Sequence, residues 1–124
     1  MAEALGPPVA AVGSEPSPAD LASADLVVNC TTVGMDGASS ALPAAAIDRL
    51  RPGTLVADAV YTPAERTPLL AAAQQRGLPT LGGLAMLAWQ AALAWRVWFG
   101  ETGPAPRMLA EARAALAERR RVPG

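Results

Sequence analysis

The sequence has 124 residues, enough for one ordinary domain that buries roughly 65% of the surface its unfolded chain exposes, and too few for two. With 52% hydrophobic and 17% charged residues, it carries enough apolar surface to offset chain entropy, which excludes wholesale disorder. Eleven acids against ten bases, all of them Arg, leave a net charge of −1; this excludes the clustered positive field that nucleic-acid binding requires and removes His and Lys as proton carriers.

The start Met1-Ala2-Glu3 has no basic segment leading into an apolar one, so no secretory signal is expected. Met1 to Leu5 reads as the tail of a helix stopped by Gly6-Pro7-Pro8, as though the chain begins inside an element. Val9 to Val12 is a short apolar run, and Pro16-Ser17-Pro18 forms a stiff turn ahead of a single helical turn over Ala19 to Ala24. Asp25 to Cys30 is a β-branched apolar run without alternation, which predicts a parallel strand covered on both faces. Cys30 is the single cysteine; it excludes an intrachain disulfide and, without His, a zinc site, and it is expected to be buried and inert. A reducing cytoplasm is the expected compartment.

Thr31 to Gly37 is small and polar, and Leu42 to Leu50 reads as a short helix ended by Pro52-Gly53. Thr54 to Tyr61 is a second strand, closed by Thr62-Pro63. Thr67 is the expected N-cap of a helix with Pro68 at its first position, running through Leu69, Leu70, Ala73 and Gln74 to a stop at Gly77. Leu78 to Leu81 is a third strand. Strands alternating with short helices predict right-handed βαβ units, hence an α/β fold with a parallel sheet of about three to four strands followed by two C-terminal helices.

Leu84 to Phe99 is apolar almost all round, broken only by Gln90 and Arg96. Its sixteen residues fall short of the ~20 that cross a bilayer, so it is expected to be a buried helix, with Trp89, Trp95 and Trp98 packed in a core and further protein covering it. Gly100 to Pro106 is a loop. Pro106 to Arg121 is an Ala-rich helix with Met108, Leu109, Ala112 and Leu116 on one side, and Arg119 to Arg121 solvated at the end where they complement the helix dipole.

Tyr61 falls at the carboxyl end of a predicted parallel strand, where open α/β sheets bind ligands; the alternative is a tyrosine closing the core edge with its hydroxyl in water. Asp58 in the same strand reads as a carboxylate bonded to nearby backbone N–H groups. An amide buried within an apolar helix must find a hydrogen bond, which marks Gln90 for a ligand; the alternative is a glutamine satisfied by backbone or sitting at the surface. Asn29, Thr31 and Thr32 set amide and hydroxyl groups just beyond the first strand, for a ligand or as turn residues. Gly83 permits either a ligand's close approach or a tight entry into the helix.

Four stretches, Ala24 to Met35, Leu55 to Tyr61, Thr67-Pro68-Leu69-Leu70 with Arg76-Gly77, and Gly82 to Leu87 with Gln90-Ala91-Ala92, together resemble the C-terminal half of shikimate dehydrogenase, and Trp98-Phe99-Gly100 fits as well. The resemblance implies a partial Rossmann-like NADP-binding domain over residues 1–83 and, over 84–124, helices that return to a substrate domain. The implied reaction is reversible reduction of 3-dehydroshikimate to shikimate with NADPH. It further implies that Tyr61 and Gln90 bind shikimate or a relative, that Gly83 and Ala59 lie beside the nicotinamide, and that Asn29, Thr31 and Thr32 lie near the adenosine ribose or phosphates. No metal is implied. No glycine-rich G-x-G-x-x-G turn occurs, and the family's catalytic Lys and Asp belong to the substrate domain, so no catalytic residue is assigned here. The chain is therefore expected to work with a missing N-terminal substrate domain, in cis or trans, and to be inactive alone. Three departures, Ala59 for a usual Met, Gly82 for Asp and Ala85 for Gly, leave open a catalytically dead interaction module or a gene fragment. Unprotected apolar surface also predicts self-association.

Overall fold

The computed structural model describes residues 15–121 of the chain. The element order is α1 (Pro18–Ser23), β1 (Leu26–Asn29), α2 (Ala44–Ile47), β2 (Leu55–Asp58), α3 (Pro68–Gln75), β3 (Thr80–Gly82), α4 (Gly83–Phe99) and α5 (Ala105–Arg121). The three strands form one parallel sheet in the order β1-β2-β3, with Asn29 level with Asp58 and Asp58 level with Gly82. The α/β expectation with a three-strand parallel sheet and two C-terminal helices therefore holds. The helix tail at Met1 to Leu5 and the run Val9 to Val12 lie outside the described residues.

Local chemistry fixes the boundaries. Ser17 and Asp20 form a reciprocal capping box that starts α1, with Pro18 in its first turn. Thr67 caps α3 by accepting from the Leu70 N–H, and Pro68 opens the helix. Gly77, at φ +70°, ends it in the left-handed conformation that a side chain resists, while the Gly77 and Leu78 N–H groups bond back to the Gln74 and Ala73 carbonyls. The core lies between the sheet and α1, α2 and α3, built on Leu21, Ile47, Leu50, Val56, Leu69 and Leu70.

Four expectations are corrected. β1 is not covered on both faces: Leu26 and Val28 are exposed, because no described element packs over that side of the edge strand. Cys30 is exposed, lying just past the strand end at that same edge. The helix expected over Leu42 to Leu50 has α-helical geometry only over Ala44–Ile47, although Ile47 and Leu50 do reach the core. The helix α4 is not buried all round. It presents Gly83, Leu84, Ala88 and Ala92 to the protein and leaves Trp89, Trp95 and Trp98 at 53%, 37% and 74% exposure. One narrow stripe, small residues apart from Leu84, seats α4, and its tryptophans lie outside that stripe. Trp95 stacks at a tilt on Phe99, with ring centres 4.6 Å apart. The side of α5 that carries Met108, Leu109, Ala112 and Leu116 is half-buried as the periodicity predicts, and α5 packs chiefly on α4.

Candidate functional site at the carboxyl edge of the sheet

All three strands end on one side, and the chain leaving β1 and β2 builds the walls of a cleft there. This cleft, of about 290 Å³, is lined by Thr31, Met35, Ala59, Val60 and Tyr61. Tyr61 is 46% exposed and lines a second, more polar cleft of about 150 Å³ as well, which continues past Gly83, Leu84 and Ala85 at the start of α4. The outer rim of that second cleft is closed by an ion pair in which Arg113 Nε of α5 donates to both Glu65 carboxylate oxygens, at 3.0 and 2.8 Å. Glu65 adopts φ +52°, an uncommon conformation for a residue with a side chain.

Asn29 and Asp58, the last residues of β1 and β2, are buried side by side. Asn29 Nδ2 donates to Asp58 Oδ1 at 2.8 Å and to the Val33 carbonyl at 3.0 Å, while Asn29 Oδ1 accepts from the Thr31 N–H and hydroxyl at 3.0 and 2.7 Å. The Thr31 hydroxyl also accepts from the Val33 N–H at 3.2 Å. Asp58 takes two more bonds, from the Val60 N–H to Oδ1 at 3.0 Å and from the Thr67 hydroxyl to Oδ2 at 2.5 Å. The Asn29 amide is thus spent within the fold, whereas Thr31 presents its outer side to the cleft and Thr32 is exposed beside it.

Gly83 is required by packing. A Cβ there would sit 2.2 Å from the Ala59 carbonyl oxygen and 2.9 Å from that of Asp58, so α4 is entered directly over the end of β2. Ala59 in turn donates its N–H to the Asn29 carbonyl at 2.9 Å. Gln90 lies farther along α4, lines neither cleft and is exposed, so within this chain it sits at the surface, as the alternative reading has it, and not enclosed in an apolar helix. The structure therefore gathers Tyr61, Ala59 and Thr31 into one cleft and Gly83 into its neighbour, and leaves Gln90 apart. Sequence reasoning did not single out the Glu65–Arg113 closure, for which no local signal exists, nor the lining role of Met35, whose place in the Thr31 to Met35 segment was the available clue.

A parallel sheet with a cleft at its carboxyl edge defines a Rossmann-like α/β unit. Residues 83–113 match the shikimate 5'-dehydrogenase C-terminal domain family. Shikimate dehydrogenase (NADP(+)) of Symbiobacterium thermophilum is 48% identical over 108 residues, which is 87% of this chain and 36% of that protein. That of Gluconobacter oxydans is 48% identical over 90 residues, 73% of this chain and 32% of that protein. Among solved structures, shikimate 5-dehydrogenase of Thermus thermophilus in complex with NADP(H) and shikimate superposes with a TM-score of 0.70 at 38% identity, over 81% of this chain and 37% of that one. Quinate dehydrogenase of Corynebacterium glutamicum in complex with NAD gives 0.66 at 34% identity, over 78% and 33%. The chain is similar to the C-terminal part of shikimate dehydrogenases and spans about a third of the length of the relatives it matches.

Proposed function

We propose that this chain supplies one wall of the active site of an NADP-dependent oxidoreductase that interconverts 3-dehydroshikimate and shikimate. The observation that carries the reading is Tyr61, half-exposed over the open cleft at the carboxyl edge of β2, in a chain 48% identical over 87% of its length to a shikimate dehydrogenase. The residues present fit the nicotinamide end of the cofactor. The cleft is flanked by small Ala59 and apolar Met35 and Val60, with Thr31 also in its lining. When bound, the cofactor supplies or accepts the hydride. Tyr61 directs its phenol toward the substrate, Thr32 offers its hydroxyl to the cofactor, and Thr31, whose hydroxyl is bonded to Asn29 and Val33, lines the cofactor's side of the cleft. Asn29 acts by shaping the turn that carries them, and Gly83 by letting α4 close over the end of β2.

No turn in the sequence fits the pyrophosphate, and no Lys or His is present to move the hydroxyl proton. A further segment, on the same or another polypeptide, provides the pyrophosphate turn and a substrate domain that carries the proton-moving residues in our reading. The outward side of α4 is its docking surface, since Val97, Trp98 and Phe99 are 82%, 74% and 61% exposed. Gln90, on the same exposed helix, reaches the substrate only once that domain is in place. Without it the same apolar surface drives self-association.

The test is an absorbance assay of NADP⁺ reduction by shikimate, paired with ligand titration of the labelled chain. The chain alone gives no turnover above the protein-free blank, while NADP⁺ and shikimate at high concentration perturb the Tyr61 signal. Turnover by the chain alone would overturn the assignment of the proton carrier to another segment. Absence of any ligand effect on Tyr61, in the chain joined to a substrate domain, would overturn the reading itself.

A further inference from the structure

We infer that Asp58, Asn29 and Thr67 form a buried positioning network that sets the distance between the two walls of the carboxyl-edge cleft. All three side chains are at most 5% exposed, and Asp58 has no Arg paired with it among the described residues. A buried carboxylate is unfavourable unless its oxygens are fully hydrogen-bonded, and an apolar residue would fill the space without that demand. Here the demand is met by three donors from three separate segments: Asn29 at the end of β1, Val60 just after β2, and Thr67 at the start of α3.

The connectivity gives the network its consequence. The loop that carries Tyr61 leaves the sheet at Ala59 and returns at Thr67, and both its ends, Val60 and Thr67, bond the same carboxylate. The opposite wall is tied to that carboxylate through Asn29, whose Nδ2 donates to Asp58 while its one amide oxygen accepts from both the N–H and the hydroxyl of Thr31. One carboxylate therefore fixes Tyr61 and Thr31 relative to each other although neither touches it. Asp58, Asn29 and Thr67 are positioning residues, and this role rests on the proposed use of the cleft.

Tyr61 is the only tyrosine in the chain, so ring-labelled tyrosine gives a single resonance that reports the loop directly. Asn29→Ala and Thr67→Val, the latter keeping the side-chain shape without the donor, are expected to shift or split that resonance. Thr67→Ser restores it. Leu78→Ala, a core change at the opposite end of the sheet, leaves it in place at comparable loss of thermal stability. An unmoved Tyr61 resonance in both network variants, or an equal shift in Leu78→Ala, overturns the inference. Should the network variants fail to fold, hydrogen exchange of the unmodified chain decides. The Val60 amide should exchange at least about tenfold more slowly than that of exposed Ala64, and equal rates overturn the network. Adding shikimate and NADP⁺ to the labelled chain joined to a substrate domain separates the two claims. A resonance that responds to the network variants but to neither ligand refutes the binding reading and leaves the network standing.

Discussion

Substituting Gly83 by Ala adds one methyl group at the most crowded point of the fold. The new Cβ would lie 2.2 Å from the Ala59 oxygen, 2.6 Å from the Ala59 carbonyl carbon and 2.9 Å from the Asp58 oxygen. All three atoms are backbone, so no rotamer change relieves the contact. Relief requires moving α4 away from the end of β2, which is held by the Ala59 to Asn29 bond and the buried Asp58. Overpacking of this kind costs about 3 kcal/mol, and at about 4 °C per kcal/mol for a domain of this size the melting temperature falls by about 12 °C. Gly82→Ala is the matched control. Gly82 has extended backbone at φ −92° and its added Cβ would meet only Leu70 Cδ1 at 3.8 Å, an ordinary contact, so stability changes by less than about 1 kcal/mol. Thermal unfolding followed by circular dichroism measures both. If Gly83→Ala melts within a few degrees of Gly82→Ala, the packing argument is wrong and a ligand's close approach becomes the better reason for the glycine.

Leu69→Ala, at a position 1% exposed in the core, lowers stability by about 2–5 kcal/mol, measurable by urea unfolding. Arg113→Ala changes it by less than about 1 kcal/mol, because Arg113 and Glu65 are 54% and 35% exposed and their attraction is screened; a melting shift of more than a few degrees would give the ion pair a larger role. Ser39 donates its hydroxyl and N–H to Asp36, with a further N–H from Ala38, which pulls the Asp36 carboxyl down to about 2. A folded value below the unfolded one means that this turn is held fully above about pH 4 and released as pH falls toward 2. The Ala38 and Ser39 amide resonances follow that release, and Ser39→Ala moves it to higher pH.

What the sequence disclosed was what short-range chemistry decides. Thr67-Pro68 marked the start of α3 and Gly77 its end because capping and left-handed turns involve only neighbouring residues. The apolar runs located β1 and β2 to within a residue or two at their starts, while β3 lies over Thr80–Gly82, shifted from Leu78 to Leu81. Tyr61 fell at the carboxyl edge because strand direction alone puts it there. Burial was harder to read. An all-apolar α4 carries no periodicity to say which side faces inward, and the stripe of Gly83, Leu84, Ala88 and Ala92 emerged only with the packing. The Asp58 to Asn29 bond joins residues 29 apart in sequence, so its donors beyond the neighbouring backbone were invisible until the strands were in register. Glu65 offered no sign of its positive φ, since glutamate is not a residue chosen for that conformation.

The measurement that bears most directly on the account replaces the matching 108 residues of the Symbiobacterium thermophilum shikimate dehydrogenase by this chain and follows shikimate-dependent reduction of NADP⁺. The account predicts turnover by the chimera, a roughly tenfold higher KM for shikimate when Gln90 is changed to Ala, and impaired turnover when Tyr61 is changed to Phe. A folded chimera that binds neither shikimate nor NADP⁺ would contradict it.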